Sequence, residues 1–347
     1  MEAVWFWFVL IMIMMYVILD GFDLGAGILH LFVARTEAER STVLRSIGPV
    51  WKGNEVWLLA AGGTLFFAFP VLYATAFSGF YLPLMMVLWL LIGRALGIEC
   101  RDQIASPAWT PLWDVVFAVS SALLALFFGV ALGNVVRGVP LDTRGHFFAP
   151  LWTDFSPYGA TGILDWYTIT VGLAALAALA MHGALWITLK TDEGLHVRSR
   201  RTALWLWWVV MGLMALVTLA TFHVQPHVWG RLRAAPWGVV LPILAVSALG
   251  LARWFCFKRY DVLAFFASAG FLGAMLVTVA FSVFPYVLPA STDPALGLTL
   301  EHAAAEPYAL QVGLAWWIPG IVLVVAYFFF VYRQFAGKVR LDEEGHY

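Results

Sequence analysis

The sequence predicts an all-α polytopic membrane protein of nine transmembrane helices, arranged as two four-helix bundles plus a peripheral helix. Two observations carry the membrane class. Hydrophobic residues make up 62% of the chain and charged residues 12%, about half the charge of a soluble domain. Mean hydropathy is +0.85, and apolar runs long enough to cross a bilayer recur along the whole length. A net charge of −1 argues against nucleic acid as a partner.

The runs fall at about 4–31, 49–76, 79–99, 112–136, 162–189, 203–223, 237–257, 262–288 and 313–332. The first carries no basic leader and no small-residue cleavage site, so it is expected to be retained as a span. Gly21 and Gly25 present a small-residue face suited to close helix contact. Pro70, Pro83, Pro285 and Pro319 lie within or near span ends, where neighbouring helices can satisfy the freed backbone. Domain boundaries are expected at 1–138, the first bundle; 139–161, a connecting loop; 162–289, the second bundle; 290–312, a second loop; and 313–347, the peripheral helix and tail. No sequence repeat relates the halves. Cys100 and Cys256 sit at span ends and do not suggest a disulfide framework.

Orientation follows from the basic residues of the loops. Thirteen lie in one alternating set: Arg35, Arg40, Arg45, Arg101, Lys190, Arg198, Arg200, Arg201, Lys258, Arg259, Arg333, Lys338 and Arg340. The opposite set holds four: Arg137, Arg144, Arg231 and Arg233. The N-terminus is therefore expected outside and the C-terminus in the cytoplasm. The segment His196–Arg201 reads as a topology-setting inner loop. Asp114 and Asp165 read as acids near helix N-termini, where the dipole favours them.

Charges inside spans are costly and mark functional sites by default. Helix one ends in Asp20-Gly-Phe-Asp23, and helix two opens with Trp51-Lys52-Gly-Asn54-Glu55-Val-Trp57. Helix three ends with Arg94 and Glu99. At about 1.5 Å per residue, Asp20, Asp23, Lys52, Glu55, Arg94 and Glu99 all reach the inner third of the membrane. Asp20 and Asp23 share a helix face, and two carboxylates at that range should not both ionise readily, which suits proton relay. The competing reading is a structural lock in which the acids neutralise Lys52 and Arg94. Asn54, Trp51 and Trp57 can either bond a quinone head or pack among themselves.

Haem ligation by His182, mid-span and preceded by Met181, is weighed against a hydrogen-bonded core histidine, and the core reading is favoured. No Cys-x-x-Cys-His, P-loop or dinucleotide fingerprint is present. A proton-coupled secondary transporter is an alternative function, although such folds commonly show inverted repeats and a midplane site. A purely structural subunit is a third.

Several motifs together resemble subunit II of the cytochrome bd quinol oxidases. They are Asp20–Gly27 (DGFDLGAG), Pro49–Trp57 (PVWKGNEVW), Ala61–Pro70 (AGGTLFFAFP), Ala76–Tyr81 (AFSGFY), Gly133–Pro140 (GNVVRGVP), Gly194–Arg200 (GLHVRSR) and Phe284–Ser291 (FPYVLPAS). They occur in the family's order over most of the chain, and the short, cyanide-insensitive branch is its expected home.

The resemblance implies an enzyme that oxidises quinol and reduces oxygen to water without pumping. Its two b-type haems and its d-type haem, or a b-type replacement, are implied in subunit I. Implied partners are subunit I, a small single-helix subunit, membrane lipid and a quinone, ubiquinone or menaquinone, in a bacterial cytoplasmic (inner) membrane. For this chain the resemblance implies a proton route, a structural quinone or part of an oxygen path. Asp23, Trp51 and Trp57 are the first residues to which these roles carry over, then Asp20, Asn54 and Glu55. Lys52 departs from the family pattern, which places a carboxylate there. It is expected to pair with Asp23 or Glu55.

Overall fold

The structure is a computed structural model and describes residues 1–104, 106–153, 155–157 and 159–339. The expectations for Arg340 and for the end of the tail lie outside these residues. Among the described residues, eight helices are long and apolar enough to cross a membrane. They are α1 (Glu2–Val33), α5 (Tyr81–Glu99), α6 (Trp109–Arg137), α7 (Trp166–Lys190), α8 (Glu193–Val224), α10 (Val240–Phe257, preceded by a short 3-10 turn), α11 (Asp261–Val283) and α13 (Pro307–Gln334). Shorter helices are α2 (Glu37–Ile47), α9 (His227–Ala234) and α12 (Leu300–Ala303).

The ninth run is broken. Residues 49–76 form α3 (Trp51–Ala68) and α4 (Pro70–Gly79), bent by 119° at Phe69. Pro70 has no N–H to continue the α3 ladder, and its fixed φ suits the first position of a new helix. The turn is far sharper than the kink expected of a span proline.

Other boundaries move for local reasons. Asp165 caps α7 by accepting from the N–H groups of Tyr167 and Thr168, closing a capping box with Thr168. This agrees with its reading as an N-terminal acid. Thr36 caps α2 in the same way with Glu39. The segment His196–Arg201 is not a loop. It lies in the first turns of α8, whose helix runs on from the polar side into the apolar run. The span expected at 262–288 ends at Val283, and Tyr286–Leu288 (β1) pairs antiparallel with Leu298–Thr299 (β2). Both cysteines are free.

The main core lies where α1 meets α6 and α7, with Phe22, Leu24, Phe117, Leu124, Leu179 and Trp186 buried in it. Gly25 allows this approach. A Cβ at that position would lie 2.7 Å from Gly183 Cα on α7, closer than real Cβ atoms come. Gly27 similarly admits Ser121 of α6, whose Cβ would lie 2.6 Å from the added carbon. Gly21 and Gly25 thus form one small-residue face against α7, while Gly27, two residues on and turned away from it, opens a second close contact with α6. Outward faces carry large apolar side chains, among them Trp89, Trp205, Trp316 and Leu323, as a surface covered by lipid or protein requires.

Candidate functional site: a buried carboxylate cluster on three helices

The cluster forms because three helices bring one turn each to the same place. Trp51, Asn54, Trp57 and Ala61 form the buried stripe of α3, at the i, i+3, i+6, i+10 spacing of one helix face. Asp20 and Asp23 lie on α1, where every residue from Asp20 to His30 is buried. Arg94 is one of two buried residues on α5, with Gly97.

The two acids of α1 have different fates. Asp20 is fully buried and accepts from Arg94 Nη1 at 2.7 Å on one oxygen and 2.8 Å on the other. Arg94 Nη2 donates to Glu55 at 3.1 Å. Arg94 also sits 5.9 Å from the Trp51 ring, within cation–π range. Asp23 is 1% exposed and has no cation within ion-pair distance among the described residues. It accepts from Asn54 Nδ2 at 2.7 Å on Oδ2, while Oδ1 is buried without a partner. Asn54 also faces the Leu19 carbonyl at 3.3 Å and accepts from the Tyr332 hydroxyl at 2.8 Å. Two carboxylates therefore share one guanidinium, and the third, Asp23, lies one helical turn from Asp20 without reaching it. If all were ionised, the cluster would carry two net negative charges in apolar surroundings, at a cost that proteins normally avoid.

Of the nine site residues expected from sequence, the structure brings Asp20, Asp23, Trp51, Asn54, Glu55 and Arg94 together, with Trp57 one turn further along the same buried stripe of α3. Lys52 and Glu99 stand apart. Lys52 Nζ lies 2.9 Å from Glu99, with the two side chains 70% and 49% exposed. The expected pairing of Lys52 with Asp23 or Glu55 is thus corrected. One residue along a helix is a rotation of about 100°, so a stripe that buries Trp51 and Asn54 turns Lys52 outward. Trp57 packs with Met12, Tyr16 and Ala61 and lies 5.4 Å from the Phe328 ring.

Tyr332 was invisible as a site residue. It lies on α13, 278 residues from Asn54, and nothing in its local pattern separates it from the other aromatic residues of that helix. A second buried network was also missed. Asp114 is not a simple dipole acid. Its Oδ1 meets His30 Nε2 at 2.7 Å and Arg101 Nε at 2.6 Å, and Arg40 lies 3.4 Å from its Oδ2. Arg101 also reaches the exposed Glu37.

A haem does not fit at His182. His182 is fully buried, with Nδ1 2.6 Å from Ser268 Oγ and Nε2 3.0 Å from the Ile18 carbonyl. Neither nitrogen is free to ligate iron. The Asn54 amide is engaged at both ends within the chain. Among the described residues no three His, Cys, Asp or Glu side chains converge as a metal site.

The class defined here is a multi-pass membrane protein with a compensated ion pair beside an uncompensated buried acid. Comparison with known proteins makes it specific. Residues 1–335 match the family model of cytochrome bd terminal oxidase subunit II, and the chain belongs to that family. It is similar to a probable cytochrome oxidase subunit 2 of Haemophilus influenzae, 31% identical over 369 residues, covering 98% of this chain and 95% of the relative. It is 29% identical over 391 residues to the cytochrome bd-I ubiquinol oxidase subunit 2 of Escherichia coli K12, covering 99% and 96%. To the cytochrome bd ubiquinol oxidase subunit 2 of Bacillus subtilis it is 31% identical over 313 residues, covering 90% and 89%. The fold is shared with a chain of the bd oxidase structure from Geobacillus thermodenitrificans, at a TM-score of 0.75 and 16% identity, covering 96% of this chain and 98% of that one. The protein is thus a subunit of a bacterial respiratory oxidase complex, whose partner is subunit I. The transporter alternative gives way to the oxidase subunit.

Proposed function

We propose that Asp23 carries a proton for the oxidase, while Asp20 and Arg94 beside it form a fixed ion pair that positions the helices. The observation that supports this reading is the contrast between the two acids. Asp20 has both oxygens on a guanidinium. Asp23 has only a neutral amide and one unpartnered oxygen. A buried carboxylate without a cation is stable when protonated and costly when ionised, so it changes state as a proton arrives or leaves.

The likeness to the Escherichia coli and Bacillus subtilis relatives, both named as ubiquinol oxidases, supports a quinol as electron donor and oxygen as acceptor. Reduction of oxygen to water consumes protons, which gives such an acid a task. In this reading the b-type and d-type haems reside in subunit I. A small single-helix subunit and lipid cover part of the outward apolar faces. The quinone reading is not carried to Asn54, whose amide is engaged at both ends within the chain. The excess of basic loop residues supports an inner-membrane protein with its N-terminus outside and its C-terminus in the cytoplasm. The two-bundle division is kept as a reading in which α1, α3, α5 and α6 make one group and α7, α8, α10 and α11 the other, joined by a broad seam where α1 and α6 pack on α7.

The test is Asp23→Asn in the whole purified complex. Asn keeps the shape and still accepts from Asn54. The complex is expected to keep its haem content and to lose roughly tenfold or more of its oxygen consumption, the scale of a lost proton-transfer group. Asp23→Glu, which keeps a titratable group, should lose less. Full turnover of a haem-replete Asp23→Asn complex would overturn the reading.

A further inference from the structure

We infer that protons reach Asp23 along the α1–α6 interface, entering at His30 and passing Ser121. The inference rests on the reading of Asp23 as a proton carrier. It begins with buried polar atoms that lack partners. Asp23 Oδ1, Ser121 Oγ and His30 Nδ1 are three of them. Native proteins rarely leave such atoms unsatisfied, and ordered water is the usual partner where polar groups adjoin.

The three atoms are not scattered. Asp23, Gly27 and His30 recur at the i, i+4, i+7 spacing of a single helix face, and the stretch covers about 10 Å of α1. Midway, Gly27 is where Ser121 meets α1, and a side chain at 27 would displace the serine. The Phe117 ring lies 5.5 Å from the His30 ring and walls the same interface. A hydroxyl therefore stands between an imidazole and a carboxylate along one face. Serine, histidine and carboxylate groups can all accept a proton and pass one on. Bridging water would join them into one path.

His30 is placed to serve as the entrance. Its Nε2 is held by Asp114, which also binds Arg101 and Arg40. This network opens to the basic end of the molecule through Arg40, whose side chain is 29% exposed, and Glu37, 61% exposed. Asp114 Oδ1 thus links the imidazole to the Arg101 guanidinium. In each passage the Nδ1 proton of the imidazolium moves to the path and a proton arrives at the Asp23 carboxylate. The neutral imidazole, left with its proton on Nε2, then turns to present its bare nitrogen to the basic end, takes a proton there and turns back. One proton is moved, and no electrons are exchanged.

Lys52 is bypassed. It faces outward and pairs with Glu99, so it takes no part in the buried face that Asp23, Gly27 and His30 share.

The experiment uses the whole oxidase complex with Ser121→Ala, His30→Gln and Asp23→Asn variants, each checked for haem content. Oxygen consumption and its solvent deuterium isotope effect are measured for each. Ser121→Ala, a small change, is expected to slow turnover several-fold and to raise the isotope effect. His30→Gln, which keeps a polar group toward Asp114, is expected to do the same. Should His30→Gln fail to assemble, Ser121→Ala decides alone. Unchanged rate and isotope effect in Ser121→Ala, with Asp23→Asn slow, would overturn this path while leaving the role of Asp23 standing. Unchanged rates in all three would remove both.

Discussion

Arg94 grips Asp20 through a single nitrogen, Nη1, which lies 2.7 and 2.8 Å from the two carboxylate oxygens. Both side chains are fully buried, so neither has water to fall back on. Arg94→Met should strand the acid, and breaking such a buried pair costs about 3–5 kcal/mol. The expected outcome is a lower melting temperature and poor recovery of the complex. Adding Asp20→Asn should recover much of the loss. An Arg94→Met complex that melts like the wild type would show that the pair does not hold the helices.

Lys52 and Asp23 should behave as independent sites. Lys52 is engaged with Glu99 on the outer face, and Asp23 with Asn54 inside. In a double-mutant cycle, Lys52→Met and Asp23→Asn should add within about 0.5 kcal/mol in stability. A coupling above about 1 kcal/mol would place the lysine in the cluster after all.

Gly183 should tolerate no side chain. A Cβ there or at Gly25 meets the backbone of the facing helix rather than a movable side chain. Gly25→Val is expected to cost at least about 1–3 kcal/mol, the usual scale of overpacking. Gly62→Ala is the control, since nothing lies within 4 Å of its added carbon. It should be neutral or stabilising by up to about 1 kcal/mol. Equal behaviour of the two variants in thermal melts would contradict the close α1–α7 contact.

The α2 cap should weaken in acid. Partial burial pushes the Glu39 carboxyl up, but the Arg198 guanidinium and the N–H groups of Arg35 and Thr36 outweigh it and hold the group below the usual carboxylate range. A carboxyl lowered by folding contributes fully above its unfolded value of about 4.3 and loses that contribution as pH falls through the folded value. The stability gap between wild type and Glu39→Gln should therefore be constant from neutral pH to about pH 5 and close below it. A gap that persists at pH 3 would assign the contribution to shape rather than charge.

Much of this arrangement was legible from residues alone. Apolar length placed eight spans among the described residues, because a bilayer admits few other solutions, but it did not reveal the break in the run 49–76. Depth along three antiparallel helices brought Asp20, Asp23, Glu55 and Arg94 together. The pattern also placed Asp165 at a helix N-terminus, though not its capping box. Rotation was harder. Lys52 and Asn54 are equally deep, and only the buried stripe Trp51, Asn54, Trp57 and Ala61 tells which faces inward. Partners distant in sequence left no trace at all. Tyr332 and Asn54, or Asp114 and His30, are joined by tertiary packing that no local periodicity encodes. The bend at Phe69 was hidden for another reason. A proline in an apolar run is compatible with a mild kink or a full turn, and the neighbours decide.

The break between α3 and α4 has a consequence for assembly. Beyond it, the chain builds a second apolar cluster from Trp5, Ala68, Phe69, Leu72, Val139, Leu141, Leu288, Leu300 and Leu310. Trp5 Nε1 donates to the Leu310 carbonyl across 305 residues, and Ala305 N–H bonds the Ala68 carbonyl left free by the bend. Every part of this cluster comes from a helix end or a connecting segment on the same side. It therefore cannot close until the last span has been threaded and both long connections have crossed. The clasp records that insertion is complete, joining the first turn of the chain to the start of its final helix.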